Sequence, residues 1–418
     1  MDRREDASTW LAQAVGRGVQ APASSGGNRP GKTPYMARDP VASLFQSGLE
    51  RSLRDAGLRD HTPSHRDPLT WLLNMLWLVL HPVRFGPTDA DWVVMVGAAM
   101  LDRLARGNHA FNPNPARHEI SDDARILVVG DWGSGVPRAR EVARHMAREV
   151  AEGLAADREV HVIHLGDVYY SGLEEEVREH VLAPGMWPVT AAQAEQGVTS
   201  WSLNGNHDMY GGGYGYFDTL LRDPRFRAQR STPDNQPTSF FRLTSPSWDL
   251  LGLDTSWDED VLSTGMVGVL ESPQAKFVED VAGESQRRLV LLSHHQLLSA
   301  YDPGDIGPTL AHDLAPVLNS GRVTAWLWGH EHRLMAFEPR QGVKFPRCVG
   351  HGGVPTLMEH AENDPVPEPG LWEERHFFKL RGDHWARFGF AVLDLSPQSI
   401  AVRYVDERGE LTHEDTIE

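Results

Sequence analysis

The chain has 418 residues, of which 40% are hydrophobic and 23% are charged, and its formal net charge is −18. That composition is typical of a globular protein with one large core and an accessory region. The negative charge argues against sequence-independent binding to nucleic acid, which needs clustered basic residues, so we expect no nucleic-acid partner. A single cysteine, Cys348, excludes an intrachain disulfide and a zinc site built on thiolates.

Two features of the sequence predict the cellular location of the protein. The charged start at Met1 is not followed by the apolar stretch of a secretory signal. The longest apolar stretch, Trp71–Leu80, has about half the length needed to span a bilayer. We therefore expect a cytoplasmic protein without a transmembrane segment.

Changes in composition divide the chain into three regions. Residues 1–38 are rich in Gly, Pro, Ser and Ala, which predicts a flexible tail. Residues 39–119 carry apolar side chains at spacings of three and four, which predicts a helical extension. Its third helix should span about Ala90–Arg106 and stop at Gly107. We expect this extension to pack on the core; a lid or an oligomer contact is the alternative.

From residue 120 to 418 the pattern changes to short apolar runs that end at an acid or a histidine. Such runs are typical of buried strands that deliver a functional side chain to a loop. Four runs and the residues they lead to are Arg125–Val129 with Asp131, Val160–Leu165 with Asp167, Leu289–Ser293 with His294, and Val323–Trp328 with His330 and His332. An amphipathic helix at Pro137–Ala155 separates the first two runs and predicts a right-handed β-α-β unit. Further strands are predicted at Trp248–Asp254, Ala386–Asp394 and Ser399–Val405.

The polar residues at these strand ends predict a metal site. Ligands of open α/β sheets bind beyond the carboxyl ends of the strands, and a fifth loop adds Asn206, His207 and Asp208 there. Carboxylate, imidazole and amide oxygen together suit divalent or trivalent metals. The set exceeds the needs of one tetrahedral site, so one carboxylate could bridge two metals.

Five sequence blocks resemble those of the calcineurin-like metallophosphoesterases, and more narrowly their purple acid phosphatase-like branch. In order, they are Gly130-Asp131-Trp132-Gly133, Gly166-Asp167-Val168-Tyr169-Tyr170, Gly205-Asn206-His207-Asp208, Val290 to His294, and Gly329-His330-Glu331-His332. The resemblance implies an α/β fold, a four-layer α/β/β/α sandwich, for a catalytic domain at residues 120–418. The resemblance does not extend to the helical extension.

The resemblance also implies a role for each polar residue. Asp131, Tyr170 and His332 would hold the first metal, Asn206, His294 and His330 the second, and Asp167 would bridge both. Gly133 stands where the commoner branch has a metal-binding histidine, and Tyr170 would supply a tyrosinate instead, with Tyr169 pointing elsewhere. Two metal ions are therefore expected, Fe(III) at the Tyr170 site and Fe, Zn or Mn at the other.

The implied activity is hydrolysis of a small-molecule phosphate monoester or diester by a hydroxide that bridges the metals. His207 would protonate the leaving group and contact the substrate together with His295, and Asp208 would orient His207. The glycine at position 133 favours a phosphomonoesterase. The alternatives are a cyclic-nucleotide or other nucleotide phosphodiesterase and a phosphoprotein phosphatase. A non-enzyme alternative is a catalytically silent scaffold that binds a partner through its N-terminal helices, which could also form an oligomer.

Overall fold

A computed structural model describes residues 99, 101, 103–258, 268–300, 307–356, 358, 364–380 and 383–418. The predicted tail at 1–38 and most of the predicted extension at 39–119 lie outside these residues. Residues 103–106 are helical, and the helix ends at Gly107, whose φ of 75° suits glycine. This confirms the predicted end of the third helix.

One of the two large sheets has six strands and contains the predicted β-α-β unit. In spatial order they are β16 (Leu411–Ile417), β15 (Ile400–Asp406), β14 (Gly389–Leu395), β2 (Arg125–Val129), β3 (Val160–His164) and β4 (Thr199–Ser202). Strands β2, β3 and β4 run parallel, whereas β14 and β15 form an antiparallel pair beside them. The carboxyl ends of β2 and β3 therefore lie at the same edge of this sheet.

The other large sheet has eight strands. In spatial order they are β1 (Ala116–Glu119), β5 (Phe241–Thr244), β6 (Trp248–Leu253), β7 (Arg288–Ser293), β8 (Val323–Trp328), β10 (Phe345–Val349), β9 (Leu334–Phe337) and β11 (Gly370–Glu373). Strands β6, β7, β8 and β10 run parallel. A separate hairpin consists of β12 (Phe377–Leu380) and β13 (Asp383–Ala386). Because β1 pairs with β5, the sheet domain begins four residues before the boundary predicted at 120.

Helices lie along the chain between these strands. They are α1 (Pro137–Ala155), α2 (Glu174–Val177), α3 (Ala191–Glu195), α4 (Asn206–Tyr210), α5 (Ser272–Glu284), α6 (Gly307–Asp313) and α7 (Ala315–Asn319). Shorter π-helical turns at Arg178–Leu182 and Gly215–Leu220 and a 3-10 turn at Pro224–Phe226 add to them. In the part of the chain that the structure describes, no helix is both long enough and apolar enough to cross a bilayer.

Three apolar clusters hold the layers together. Val128 and Ile163 point inwards and pack between the two sheets with side chains of β6 and β7. Leu127, their neighbour on β2, points outwards and packs beneath α1, because successive side chains of a strand face opposite ways. Leu291 packs outwards against α5 on the other side. The layers therefore run helix, sheet, sheet, helix, which confirms the predicted four-layer sandwich.

Candidate metal centre

The predicted ligands come together where the carboxyl ends of strands from both sheets meet. Asp131 and Asp167 follow β2 and β3 of the six-stranded sheet, whereas His330 and His332 follow β8 of the eight-stranded sheet. All four have left-handed backbone conformations, with φ values of 55°, 73°, 67° and 32°. Such a conformation costs a non-glycine residue about 1 kcal/mol or more, and it is concentrated at functional sites.

One cluster of polar atoms surrounds the hydroxyl group of Tyr169. This hydroxyl lies 2.9 Å from Asp131 Oδ1, 3.0 Å from Asp167 Oδ2 and 3.0 Å from His332 Nε2. His332 Nε2 lies 3.5 Å from Asp131 Oδ1. Three residues predicted to hold or bridge the first metal are thus together, with a tyrosine among them.

That tyrosine is Tyr169, so the assignment of Tyr170 to the first metal, with Tyr169 pointing elsewhere, is wrong. The side chain of Tyr170 packs in the apolar cluster of the six-stranded sheet, and its carbonyl oxygen accepts a hydrogen bond from His207 Nδ1. Strand β3 ends at His164, and the following residues turn, so the alternation of a strand no longer sets side-chain direction. The Tyr169 amide donates to the Gly133 carbonyl at 2.9 Å, which fixes the turn.

The same turn explains why position 133 is a glycine. A β-carbon there would lie 3.0 Å from Cα and Cγ2 of Val168, so a histidine would require these atoms to shift by a few tenths of an ångström. This course of the second block therefore disfavours a histidine ligand from the first block.

A second cluster forms a nearly equilateral triangle. Asn206 Oδ1 lies 2.9 Å from His294 Nε2 and 3.0 Å from His330 Nδ1, and the two histidine nitrogens are 3.1 Å apart. Asp167 Oδ1 lies 3.5 Å from His294 Nε2. Because the other carboxylate oxygen of Asp167 belongs to the first cluster, Asp167 stands between the two.

The spacing of both clusters suits metal ions. Ligands in adjacent positions around a metal with bonds of about 2.1 Å are separated by roughly 3.0 Å when the angle between them is about 90°. His294 Nδ1 is 3.1 Å from the Leu165 carbonyl, to which it would donate, and this leaves Nε2 with a lone pair for a metal.

The electrostatics of the clusters also favours cations. Burial and the neighbouring charges of Asp131 and Asp208 raise the pKa of Asp167 well above its ordinary value. Burial and the charges of Asp131 and Asp167 likewise raise the pKa of Tyr169. A bound cation would relieve the repulsion between these carboxylates and favour the phenolate.

His207 lies beside the first cluster, as predicted. Its ring packs between the rings of Tyr169 and Tyr210, each with a centroid separation of 4.6 Å, and its Nε2 lies 3.9 Å from Asp167 Oδ2. Burial lowers the pKa of His207 to about 3. The Nδ1 atom is held by the Tyr170 carbonyl, so Nε2 is the nitrogen directed at the cluster.

Asp208 does not orient His207, contrary to prediction. Its carboxylate accepts hydrogen bonds from the amides of Gly205 at 2.8 Å, Asp167 at 2.9 Å and Val168 at 3.1 Å. The side chain therefore ties the second sequence block to the third and fixes the backbone of Asp167. Adjacency in sequence suggested a contact with His207, but it does not determine where the side chains meet.

His295 lies next to the second cluster and is buried. Its ring centroid is 4.8 Å from that of His330, and its Nδ1 lies 2.9 Å from Thr255 Oγ1. One ligand atom each of His294, His295 and His330 lies within 4.8 Å of the others. The contact of His295 with substrate stays a prediction.

Two supporting residues were absent from the sequence-based predictions. The buried carboxylate of Glu176 accepts hydrogen bonds from the amides of Tyr170, Ser171 and Leu173 and so fixes the turn after Asp167. Tyr210 accepts a hydrogen bond from Asn206 Nδ2 at 2.8 Å, which directs the amide oxygen of Asn206 into the triangle. No motif identifies Glu176, but Tyr210 lies one helical turn after Asn206, a spacing that the sequence shows.

Comparison with known proteins identifies a family. The family model described as "Calcineurin-like phosphoesterase" matches residues 124–334. Tartrate-resistant acid phosphatase type 5 of Mus musculus is 24% identical over 77% of this chain and 95% of its own length. The Homo sapiens protein of that name is 25% identical over 68% of this chain and 88% of its own length.

The chain belongs to the calcineurin-like phosphoesterase family. Within that family it is similar to the purple acid phosphatase-like branch, which the acid phosphatase relatives confirm. It is therefore a hydrolase, a metal-dependent phosphoesterase, and the alternative of a catalytically silent scaffold is set aside.

Proposed function

We propose that the protein hydrolyses phosphate monoesters at a dinuclear metal centre built around Asp167. The observation that carries the proposal is the position of the Asp167 carboxylate between two ligand clusters, with one oxygen at 3.0 Å from the Tyr169 hydroxyl and the other at 3.5 Å from His294 Nε2. A residue shared in this way is what two adjacent ions require.

Each cluster supplies ligands of a distinct kind. Asp131, Tyr169 and His332 would hold one ion with Asp167, and Asn206, His294 and His330 would hold the other with the same carboxylate. When bound, the two ions supply an acidified water as nucleophile and neutralise the charge of the phosphate oxygens. Two carboxylates and a phenolate favour a trivalent ion, so we assign Fe(III) to the Tyr169 cluster and Fe, Zn or Mn to the other.

His207 is suited to handle the proton of the leaving group. The Tyr170 carbonyl holds its Nδ1, and the rings of Tyr169 and Tyr210 fix its plane, so Nε2 stays directed at the centre. In the neutral ring Nδ1 carries the hydrogen and Nε2 a lone pair, so Nε2 must first take up a proton from solvent, which the charge of a bound phosphate ester would favour. The imidazolium can then donate that proton to the departing ester oxygen and return to the neutral form.

A small-molecule monoester is the substrate class we favour. The relatives carry the name of an acid phosphatase, and the crowding at Gly133 belongs to the tyrosinate type of centre. The net charge of −18 disfavours nucleic acid as a partner. Diesters, nucleotides and phosphoproteins are the other substrates to be tested.

The decisive experiment combines Asp167→Asn with metal analysis. The amide keeps the shape of the carboxylate but removes its charge, so we expect the variant to lose bound metal and at least about 100-fold in kcat/KM. Asp280→Asn is the matched control, because Asp280 is half exposed in a surface pair with Lys276 and its loss should change neither quantity.

A panel of aryl phosphate monoesters and diesters, nucleotides and phosphopeptides, measured with the wild type, identifies the substrate class. Higher kcat/KM for monoesters supports the proposal, and a preference for diesters overturns the substrate assignment. Retained turnover and metal content in Asp167→Asn would refute the shared-carboxylate centre.

A further inference from the structure

A second group of ligating side chains lies away from the centre already described, at the opposite end of β3. His161 is near the amino end of β3, Glu159 directly precedes this strand, and His118 lies in β1 of the other sheet. Glu159 Oε1 is 3.4 Å from His161 Nε2 and 3.9 Å from His118 Nε2. One ligand atom from each residue lies within 4.8 Å of the other two.

His161 is the buried member of this group, and its Nε2 points into it. The residue is fully buried, and among the described residues its Nε2 has no well-formed hydrogen bond, with Glu159 Oε1 beside it at 3.4 Å. Leaving a buried imidazole nitrogen unsatisfied costs free energy, so such an atom calls for an explanation. The separation of 3.4 Å from Glu159 is long for a hydrogen bond but fits two ligands of one metal ion.

Neighbouring residues orient His161 and Glu159 through the atoms that face away from the group. His161 Nδ1 lies 2.7 Å from Thr199 Oγ1, which also accepts a hydrogen bond from Trp201 Nε1 at 2.6 Å. A hydroxyl oxygen has two lone pairs, so Thr199 can accept from both and leave His161 Nε2 unprotonated. Glu159 Oε2 accepts from the Ser121 amide at 2.7 Å, which leaves Oε1 for the group. Partners of this kind orient metal ligands in known sites.

The third ligand completes a site that is open on one side. The ring of His118 packs against that of Trp201 at a centroid distance of 5.6 Å, and the side chains of His118 and Glu159 are each 33% exposed. Solvent can therefore supply a fourth ligand on the exposed side.

The chemistry of two imidazoles and one carboxylate selects the metal class. Zn²⁺ binds such sets tetrahedrally with bonds of about 2.0–2.1 Å, and the edge of that tetrahedron is roughly 3.4 Å. The separation between His161 and Glu159 matches this edge, and the partly exposed ring of His118, whose Nε2 is 3.9 Å from Glu159 Oε1, would have to move inwards on binding. We propose that His118, Glu159 and His161 bind one divalent transition metal, of the Zn²⁺ class, which links β1 of the eight-stranded sheet to β3 of the six-stranded sheet.

The test counts zinc in the full-length protein with and without His118. Wild type and His118→Gln are stripped with a chelator, loaded with Zn²⁺, freed of loose ions and analysed for metal per chain. We expect His118→Gln to hold one ion fewer while its phosphoesterase activity is unchanged. His312→Gln, at a side chain that is 89% exposed, is the matched control and should keep the wild-type count.

A second variant, Glu159→Gln, and a second readout, the Co²⁺ spectrum, test the same site independently. Glu159→Gln retains an oxygen for the Ser121 amide but loses the ligating charge, so it should lose the same ion. In an Asp167→Asn background, which removes the shared carboxylate of the other centre, Co²⁺ loading should still give a visible ligand-field spectrum that His118→Gln abolishes. Equal zinc counts in the wild type, His118→Gln and Glu159→Gln would overturn the proposal.

Discussion

Tyr169 and Tyr170 are chemically identical neighbours, yet only one has its hydroxyl among the ligands. The Tyr169 hydroxyl is within 3.0 Å of Asp131, Asp167 and His332, whereas the Tyr170 ring packs in the apolar cluster of the six-stranded sheet. A phenolate bound to Fe(III) absorbs visible light by charge transfer. The two residues therefore give a matched pair of variants.

We predict that iron-loaded wild type is coloured and that Tyr169→Phe abolishes the band. Tyr170→Phe should keep the band, because its ring is a packing group and its backbone contact with His207 remains. Absorption spectra of the three proteins at equal iron content measure this. Loss of the band in Tyr170→Phe but not in Tyr169→Phe would restore the assignment made from sequence.

The sequence predicted that a tyrosine lies among the ligands but not which of these two neighbours it is. The blocks around Asp131, Asp167, Asn206 and His294 predicted groups that the structure brings together, because strand ends in parallel sheets share one edge. Side-chain direction within the turn after Asp167 depends instead on contacts from remote residues. Gly133, Glu176 and Asp208 fix that turn.

Elements with strong apolar patterns were predictable. Helix α1 has the predicted bounds, and β2, β7 and β8 lie within a residue of prediction, since their apolar runs are long and end at glycine or a polar residue. Strand β4, with the sequence Thr-Ser-Trp-Ser, was missed because it has one large apolar residue and no alternation. Its neighbours in the sheet, and not its own composition, make it a strand.

The loop after β4 must pass very close to the centre, and Gly205 makes this possible. A β-carbon at this position would lie 2.0 Å from Asp167 Oδ1 and 2.7 Å from His294 Cε1. We predict that Gly205→Ala displaces both ligands, lowers kcat/KM by about 100-fold or more and destabilises the fold by about 1–3 kcal/mol.

Gly283→Ala is the control for that substitution. Gly283 lies in α5, and a β-carbon there would meet nothing within 4 Å. Alanine favours the helix by up to about 1 kcal/mol over glycine, so this variant should be as stable as wild type or slightly more so. Kinetics and thermal unfolding of both variants measure the contrast. Full activity in Gly205→Ala would contradict the close approach.

Across the whole molecule, the candidate metal centre and the proposed zinc site occupy opposite ends of the same two-sheet interface. Asp131 and Asp167 come from one sheet and His294 and His330 from the other, so ions at the centre would link the sheets at that end. The sequence predicted the strands that lead to these four ligands but not which sheet each strand joins. Pairings such as β1 with β5, more than 100 residues apart, leave no local pattern.

The response to acid is also a property of the whole molecule, because histidines are buried within its layers. Burial lowers the pKa of His164, which packs against Trp132 and Trp187, to about 3, and burial lowers that of His351 to about 3 as well. In the unfolded chain both titrate near 6.5. As pH falls from about 6.5 towards 3, the unfolded state therefore takes up protons that the folded state does not.

Stability contributed by these neutral histidines is thus present above pH 6.5 and declines below it, by up to about 1.4 kcal/mol per pH unit for each residue. We predict that His351→Gln, which cannot titrate, flattens this decline by up to that amount between pH 6 and pH 4.5. Denaturant unfolding at several pH values measures the slope, and protonation of the metal ligands cancels because it is common to both proteins. His312→Gln is the control, because the side chain of His312 is 89% exposed, and it should keep the wild-type slope. If His351→Gln also kept the wild-type slope, His351 would be protonated in the folded state. The loss of stability at low pH would then have to arise from other groups.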